Sequence, residues 1–446
     1  MPPGLASLPV ELLVEVLRSL ELKERQRLAL VAQIWRQAAN NPCLLRRLSL
    51  SLGTAAAGGD SPGLQRSRSC GEWLLRAAPH VQQLRLAVHM GSQPSWEEEE
   101  LRGLVQGALM ACSGGQLSEL DLHLYGNSPF VVGSWITVLS GSLRLHITAK
   151  EFHGNSWIPI QADMRQMSLL SELKLTSFEA GWFIEPHARL PAGLTKLVLE
   201  TNLAWEEGAL APQIGTLGAL KELSLHSFAH PADGYAPLRH LRSLTRLHFY
   251  HCINLPSNLR LLCSLEELVL EDVNDCHGAF LTEADGALVS SAIGHLTRLT
   301  SLCMDSAPGM LIPPAALTSL QRLRRLGWRD LCGDGFAQLP PGAWLEQLHM
   351  LAAWAYTAAY NLPTLAAATA LTELRLDHVA ADEDEAAAVI CWAGSLPHLR
   401  RLCLHHRPEQ SMPASVAAAA EAAQAANASL VVDGEPTFGW AHVEAW

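Results

Sequence analysis

The sequence predicts an α/β protein, a curved solenoid of stacked parallel strands preceded by a small helical domain. Three observations predict this fold class. A six-residue frame, LxxLxL, recurs along most of the chain, and short return segments separate its copies. The first 42 residues carry apolar side chains at helical intervals instead of that frame. A length of 446 residues suits two or three domains or one elongated array, and 49% apolar residues indicate a folded chain.

The frame is regular enough to be a structural repeat. From Leu117 to Leu399 its copies begin about 26 residues apart on average, inside the range of roughly 20–29 residues for leucine-rich repeats. Two weaker copies, VQQLRL and SLRLHI, lie at 81–86 and 142–147. The other copies lie at 45–50, 117–122, 170–175, 194–199, 220–225, 244–249, 265–270, 299–304, 323–328, 345–350, 371–376 and 399–404.

The spacing inside each copy explains why the copies must stack. The first, fourth and sixth residues point inward, and the residues between them point outward. One short strand cannot bury its apolar side alone, whereas parallel copies build one continuous core. Return segments such as 210–220, 255–265 and 312–323 follow a proline and predict short helices or irregular turns. Residues 45–432 therefore resemble leucine-rich-repeat proteins of the plant and algal type.

The turn after each strand departs from that family. An asparagine or cysteine often stands there and hydrogen-bonds the turn, and Asn202 and Cys252 fit this pattern. Most other copies carry an apolar residue at the same place, so we expect less regular turns.

Two segments interrupt or end the repeats. Residues 54–69, within an insert at about 53–70, are rich in glycine, serine and alanine and predict an exposed flexible loop. Residues 414–427 are nearly all alanine and predict a helix, and 428–434 predict a last strand. The predicted domains are a helical domain at 1–42, repeats at 43–432 and a C-terminal tail or cap at 433–446.

The N-terminal stretch SLPVELLVEVLRSL, residues 7–20, predicts an amphipathic helix. Pro9 and Glu11 suit the first turn of a helix. A second apolar stripe, formed by Leu28, Val31, Ile34 and Trp35, makes two or three short helices in 5–42. A unit of about 40 residues rarely buries enough surface to be stable alone. It must therefore pack against the repeats, against a partner protein, or against both.

In their order these residues resemble an F-box, although Ala32 stands where that family often has serine or cysteine. The resemblance implies a non-catalytic adaptor subunit of a Skp–cullin–F-box ubiquitin ligase, whose repeats hold a protein substrate. The physics agrees, because short helices with surplus apolar surface dock into a partner's groove. The residues that carry the resemblance, and that it implies contact a Skp-type adaptor, are Leu8, Pro9, Leu12, Leu13, Val16, Leu17, Leu20, Leu28, Val31 and Trp35.

A second hypothesis is a leucine-rich-repeat scaffold without a ligase role, for example in the cytoskeleton or an axoneme. In that case the N-terminal helices only cap the first repeat. Exposure separates the two hypotheses, since a cap would bury Leu12, Val16 and Leu17 against the repeats.

Substrate would bind the outward positions of the strands. The fifth residues of the copies mix both charge signs with small and aromatic groups, so neither nucleic acid nor an acidic peptide is favoured. The net charge of −12 also argues against a general nucleic-acid or anionic-membrane binder. The candidate substrate-binding residues are His226, His248, Tyr250, Arg329 and His349.

No motif predicts catalysis, a metal or a cofactor. Ser61 lies in GDSPG, which fits GxSxG, but it lacks the strand before it and the helix after it that a nucleophile elbow needs. The 19 histidines form no HExxH motif, and the acidic run at 97–100 is expected to be a solvated helix start or loop.

The compartment expected from the sequence is the cytoplasm or nucleus, or the cytoskeleton in the scaffold hypothesis. The ten cysteines form no CxxC pair, which suits buried thiols in a reducing environment. The N-terminus lacks the pattern of a signal peptide, and no run of 18 apolar residues predicts a membrane span.

Overall fold

A computed structural model of the chain divides it into two compact units, residues 1–204 with 211–220 and residues 205–210 with 221–446. The structure describes residues 9–20, 22–30, 32–53, 62–89, 96–114, 116–125, 144–150, 157–160, 163–177, 181–185, 187–201, 210–227, 232–252, 258–271, 291–306, 315–330, 339–377, 379, 383–406 and 411–436.

The first unit begins with four short helices. Pro9 is the N-cap of the first helix, and its carbonyl accepts hydrogen bonds from the backbone N–H groups of Leu12 and Leu13. The side chain of Asn41 caps the fourth helix by accepting from Cys43 N at 3.0 Å. Only Arg46 separates this helix from the first strand. The helices are α1 Val10–Arg18, α2 Leu22–Ala29, α3 Gln33–Ala39 and α4 Pro42–Leu45.

Among the described residues of the first unit, six parallel strands pair in one sheet, and two shorter strands pair in a second sheet. The fourth residues of neighbouring copies stand opposite one another, as Leu48, Leu84 and Leu120 do, and all three are buried. The main sheet contains β1 Arg47–Gly53, β2 Gln83–His89, β3 Glu119–Tyr125, β4 Arg144–Lys150, β6 Glu172–Ser177 and β8 Lys196–Thr201. The second contains β5 Trp157–Ile160 and β7 Gly181–Ile184.

The predicted flexible loop at 54–69 is wrong over the part that the structure describes. Pro62–Ala77 forms helix α5, and Trp96–Ser113 forms helix α6, which begins with the acidic run. A buried stripe holds α5 in place; it consists of Leu64, Ser67, Gly71, Leu74 and Ala77. The Ser67 hydroxyl also bonds both the N–H and the carbonyl of Gly53, at 2.9 and 3.0 Å, and so ties α5 to the end of β1.

The short 3₁₀ helices of the first unit lie in the return segments: Ala78–His80, Met164–Gln166 and Pro212–Thr216. The last of these lies in the return that was predicted at 210–220.

The second unit repeats the arrangement with nine parallel strands among its described residues. They are β9 Glu222–His226, β10 Arg246–Tyr250, β11 Glu267–Glu271, β12 Ser301–Ser306, β13 Arg325–Asp330, β14 Met350–Trp354, β15 Glu373–Asp377, β16 Arg401–His406 and β17 Val431–Pro436. Its helices are α7 Ala315–Thr318, α8 Ala355–Tyr360, α9 Leu362–Leu365, α10 Glu383–Gly394 and α11 Ala414–Ala426, with 3₁₀ helices at Ala232–His240, Leu259–Leu261 and Leu345–Gln347. The predicted fold class is confirmed, because parallel repeat strands in chain order follow the N-terminal helices.

The C-terminal helix was predicted at 414–427 and the last strand at 428–434, and the structure has them at Ala414–Ala426 and Val431–Pro436. Strand β17 continues to Pro436, because Val431–Pro436 pairs in register with Arg401–His406 of β16. The rest of the predicted tail, 437–446, lies outside the described residues.

One repeat is shifted from its predicted frame. In β14 Leu351 stands opposite Leu326, so the copy runs from 348 to 353 and not from 345 to 350. Three leucines at intervals of three, Leu345, Leu348 and Leu351, allow both frames. The structure places Leu345 in a 3₁₀ helix, and Ala353 becomes the inward sixth residue.

The turn after β10 uses the predicted cysteine. Cys252 is fully buried, and its thiol donates to the carbonyl of Leu225 at 3.3 Å. The preceding residue, His251, has a positive φ of 49°, and Ser227 after β9 has a φ of 58°. The left-handed conformation at His251 turns the chain inward so that Cys252 reaches the core. Asn202, the other predicted turn residue, lies outside the described residues.

Candidate partner-docking surface

The N-terminal helices have a small core of their own. Its six buried residues are Leu13, Val14, Leu17, Trp35, Ala38 and Leu44. Leu20, Leu28 and Ile34 are partly buried and pack against it. These helices therefore hold part of their apolar surface among themselves, before any partner is considered.

This core changes the role of three predicted contact residues. Leu13 and Leu17 are fully buried, and Trp35 is 8% exposed, so their side chains fill the core and cannot form an open docking surface. The apolar stripe of α1 is wider than the surface that α3 covers, and only the half facing Trp35 is buried. Val14 lies in that half, although it is not among the residues that carry the F-box resemblance.

The other half of the stripe is open. Leu12 is 52% exposed and Val16 is 48% exposed, one helical turn apart on the same side of α1. Pro9, just before them, is exposed as well, and Leu30 after α2 is 79% exposed. Leu8 and Val31 lie outside the described residues. The structure thus leaves a short apolar ridge, Leu12 and Val16, on the surface of α1.

Arg25 locks the helices into this arrangement. Its guanidinium donates to the carbonyls of Leu20 at 2.8 Å, Leu44 at 3.2 Å and Arg18 at 3.3 Å. These carbonyls lie in and just after the last turns of α1 and α4, where backbone acceptors lack helical partners. Partial burial lowers the pKa of Arg25, which stays protonated at neutral pH.

Replacing Arg25 by alanine should destabilise the helical region by about 1–3 kcal/mol, because three carbonyls lose a charged donor. Hydrogen exchange of the amides in α1 and α4 would report the loss. Arg27, which is exposed on the same helix, provides the control, and its alanine variant should exchange like the wild type. Equal hydrogen-exchange rates in the Arg25 and Arg27 variants would contradict the stabilising role of Arg25.

The strand faces of each unit carry paired charges among the described residues. Arg246 lies 3.3 Å from Glu222, and Arg375 lies 2.8 Å from Glu373. In the first unit Arg85 lies 3.5 Å from Asp121. Both signs occur side by side, as the sequence predicted.

An aromatic cluster interrupts this pairing on β9 and β10. The rings of His226 and Tyr250 stack with centroids 4.3 Å apart, and His248 meets Tyr250 edge-on at 6.0 Å. His248 Nε2 is 2.9 Å from a carboxylate oxygen of Glu267, and Ser224 Oγ is 3.1 Å from His226 Nε2. The structure therefore brings together three of the five predicted substrate-binding residues.

The other two do not join this cluster. His349 was assigned to the fifth position of its copy, but the shifted frame puts it one residue before β14, where it is exposed. Ala352 occupies the fifth position instead. The side chain of Arg329 lies outside the described residues.

A family model described as F-box-like matches residues 5–51. The chain carries an F-box-like domain. The match covers α1 to α4 and most of β1, and so includes the open ridge of Leu12 and Val16. No curated protein matches the chain.

Three solved structures are similar to the chain. In "Crystal structure of TLR13-ssRNA13 complex" the identity is 14% over 89% of this chain and 56% of that chain, with a TM-score of 0.47. In "Crystal structure of PEPR1-AtPEP1" the identity is 16% over 75% of this chain and 47% of that chain, with a TM-score of 0.38. In the plant peptide hormone receptor RGFR1 in complex with RGF2 the identity is 14% over 88% of this chain and 69% of that chain, with a TM-score of 0.28. The chain spans about half the length of the first two.

Among the described residues, no group of three or more His, Cys, Asp or Glu side chains could hold a metal ion. Within the same residues, no helix combines the length and apolarity that crossing a bilayer requires. Ser61 of the GDSPG segment lies outside them, but the expectation that no helix follows it is wrong, because α5 begins at the next residue, Pro62.

Proposed function

We propose that the chain is a non-catalytic substrate-recognition adaptor of a Skp–cullin–F-box ubiquitin ligase. The F-box-like domain docks a Skp-type adaptor of the cullin complex, and the repeats bind the substrate protein. The observation that carries the proposal is the open ridge of Leu12 and Val16 on a domain that matches the F-box-like family. The cytoplasm and nucleus are the compartments that we propose for it.

The exposure of this ridge favours docking over capping. Full burial of a leucine or valine side chain is worth about 1.5–3 kcal/mol. A helix that only capped the first repeat would gain that energy by turning Leu12 and Val16 inward. Instead α1 turns Leu13 and Leu17 inward and leaves the other two half exposed. This supports the ligase adaptor over the scaffold hypothesis.

Two side chains alone do not make a stable interface, which commonly buries about 1,600 Å² in total. Pro9 and Leu30 are also exposed and extend the apolar surface of the domain. We propose that Leu12 and Val16 are the energetically dominant contacts and that the surrounding residues exclude water from them.

A pulldown of a recombinant Skp-type adaptor by the full-length chain tests the proposal. Replacing Leu12 and Val16 together by arginine should weaken binding at least about 30-fold, or about 2 kcal/mol, because two charges enter an apolar interface. Thermal melting of the variant should match the wild type, since neither side chain belongs to the buried core.

Two equally exposed leucines serve as matched controls for added charge. Leu169 is 53% exposed and Leu261 is 54% exposed, and both lie outside the F-box-like domain. Their arginine variants should bind the Skp-type adaptor like the wild type. If the Leu12 and Val16 variant bound the Skp-type adaptor as tightly as the wild type, the proposed function would be wrong.

A further inference from the structure

We propose that the outer edge of strand β1 binds an extended acidic segment of a partner protein as an additional strand of the sheet. β1 stands first in the strand order and pairs with β2 on one side. Within the described residues, no strand pairs with its other side. An extended peptide can add to such an edge through main-chain hydrogen bonds. The inference goes beyond the proposed function, because it needs neither a Skp-type protein nor ubiquitin transfer.

The backbone groups at this edge belong to alternate residues of β1. Gln83 N donates to the Arg46 carbonyl at 2.8 Å, and successive residues of a parallel strand turn their backbone groups to opposite sides. The even-numbered residues of β1 therefore bond β2, whereas Arg47, Ser49 and Ser51 turn their N–H and C=O groups to the outer edge. The edge thus offers three donors and three acceptors to an added strand.

These groups are open to water. In the part of the chain that the structure describes, no hydrogen bond outside the ladder to β2 involves the backbone of Arg47, Ser49 or Ser51. Gly53, the next residue of the same row, differs, because its N–H and carbonyl both bond the Ser67 hydroxyl. Buried backbone groups are nearly always paired, so three unpaired residues in one row indicate an exposed edge. Their side chains are exposed as well.

The shape of β1 suits an added strand. Its register with β2 is continuous over 7 residues, and the strand contains no proline. Proteins commonly protect an edge strand by shortening it, by a bulge or by a proline. None of these three features turns this edge away from a partner segment.

The charges on the first unit indicate what that segment carries. At the third position of the repeat frame, cations and carboxylates alternate from β3 to β8. Arg144 lies 3.8 Å from both Glu119 and Glu172. Lys196 lies 3.7 Å from Glu172. Each cation of this row is therefore balanced by a carboxylate on a neighbouring strand.

Arg47 holds the same position on β1 and ends the row. Its neighbour on β2 is Gln83, whose side-chain amide donates to a carboxylate oxygen of Glu119 at 3.1 Å. Arg47 is exposed and forms no ion pair with a carboxylate that the structure describes. A carboxylate on an added strand would stand about 4.8 Å away and continue the alternation. The exposed hydroxyls of Ser49 and Ser51 can donate to further carboxylates of the same segment.

A second copy of the chain suits this edge less well than an acidic segment. β1 holds no acidic residue, so a second β1 would place either an uncharged residue or another arginine opposite Arg47. Like charges directly opposite each other destabilise strand pairing. Charge complementarity therefore favours an acidic partner.

Fluorescence anisotropy with the full-length chain tests the charge preference. The probe is a labelled seven-residue peptide in which glutamate alternates with valine, and its matched control carries lysine in place of glutamate. The wild type should bind the glutamate peptide at least about tenfold more tightly than the lysine peptide. Arg47→Glu should remove that preference. Arg66→Glu, an equal change of charge at an exposed residue of α5, should keep it.

Methylation of the peptide backbone separates strand pairing from simple charge attraction. A glutamate peptide with every backbone amide methylated keeps its charges but has no N–H group to donate to the edge. It should bind at least about tenfold more weakly than the unmodified peptide. Ser49→Pro removes one N–H of the edge without removing a bond to β2, so it should weaken the binding of the unmodified peptide as well.

Three outcomes would overturn the proposed edge: equal binding of the glutamate and lysine peptides, an unchanged preference in Arg47→Glu, or full binding of the methylated peptide. A dimer of the chain that Ser49→Pro dissociates would also overturn it, since a second copy would then occupy the edge. Melting curves show whether each variant is folded, and the methylated peptide decides if Ser49→Pro is not. Because no Skp-type protein is present, this measurement and the ligase pulldown can fail separately.

Discussion

Replacing Leu17 by alanine should unfold the F-box-like domain while the repeats stay folded. Leu17 is fully buried in a core of six residues, and truncation of a buried leucine costs about 2–5 kcal/mol. A domain of about 40 residues has little stability to lose. Amides of α1 and α3 should lose their protection from hydrogen exchange, whereas those of β10 and β11 should keep it.

Leu12 gives the matched control, because it is the same residue type on the same helix. Its alanine variant should cost no more than about 0.5 kcal/mol, since half of the side chain is already in water. The same Leu12 variant should nevertheless weaken the binding of a Skp-type adaptor. If both alanine variants lowered protection equally, the division of α1 into a buried and an open half would be wrong.

Replacing Ala353 by glutamate should strongly destabilise the second unit. The shifted frame makes Ala353 the inward sixth residue of β14, and it is 2% exposed. An uncompensated charge there costs about 3–5 kcal/mol, in addition to the strain of the larger side chain. The urea midpoint followed by circular dichroism should fall accordingly.

In the frame predicted from the sequence Ala353 lies beyond the copy, so that frame does not expect its glutamate variant to be destabilising. His349→Glu is the matched control, because His349 is the outward fifth residue in that frame. In the structure His349 is exposed before the strand, so its glutamate variant should change stability by less than about 0.5 kcal/mol. Similar urea midpoints for the two variants would contradict the register of β14.

The repeat strands could be predicted because their inward positions are nearly always leucine. The prediction failed where that signal was ambiguous or weak. At β14 three leucines spaced by three support two frames, and only pairing with β13 decides between them. In α5 the buried stripe contains Ser67 and Gly71, residue types that are common in loops, so the sequence pattern did not indicate a helix there.

The sequence predicted the amphipathic helix α1 but not which half of its apolar stripe stays open. Leu12, Leu13, Val16 and Leu17 are equivalent in helical spacing, and burial is decided by Trp35 on another helix. The stacking of His226 on Tyr250 was within reach of the sequence, because neighbouring copies align. Glu271 was not predicted, although it stands at the same seventh position of its copy as His226 and Tyr250.

The single residue between α4 and β1 has a mechanical consequence. With Arg46 alone in between, α4 and the first strand are joined by a linker too short to allow much relative rotation. A protein bound at Leu12 and Val16 would therefore be held in a fixed orientation relative to β1. A flexible glycine–serine spacer inserted after Arg46 would keep that protein attached but remove the fixed orientation. Such a variant would show whether the proposed adaptor function needs a defined orientation or only attachment.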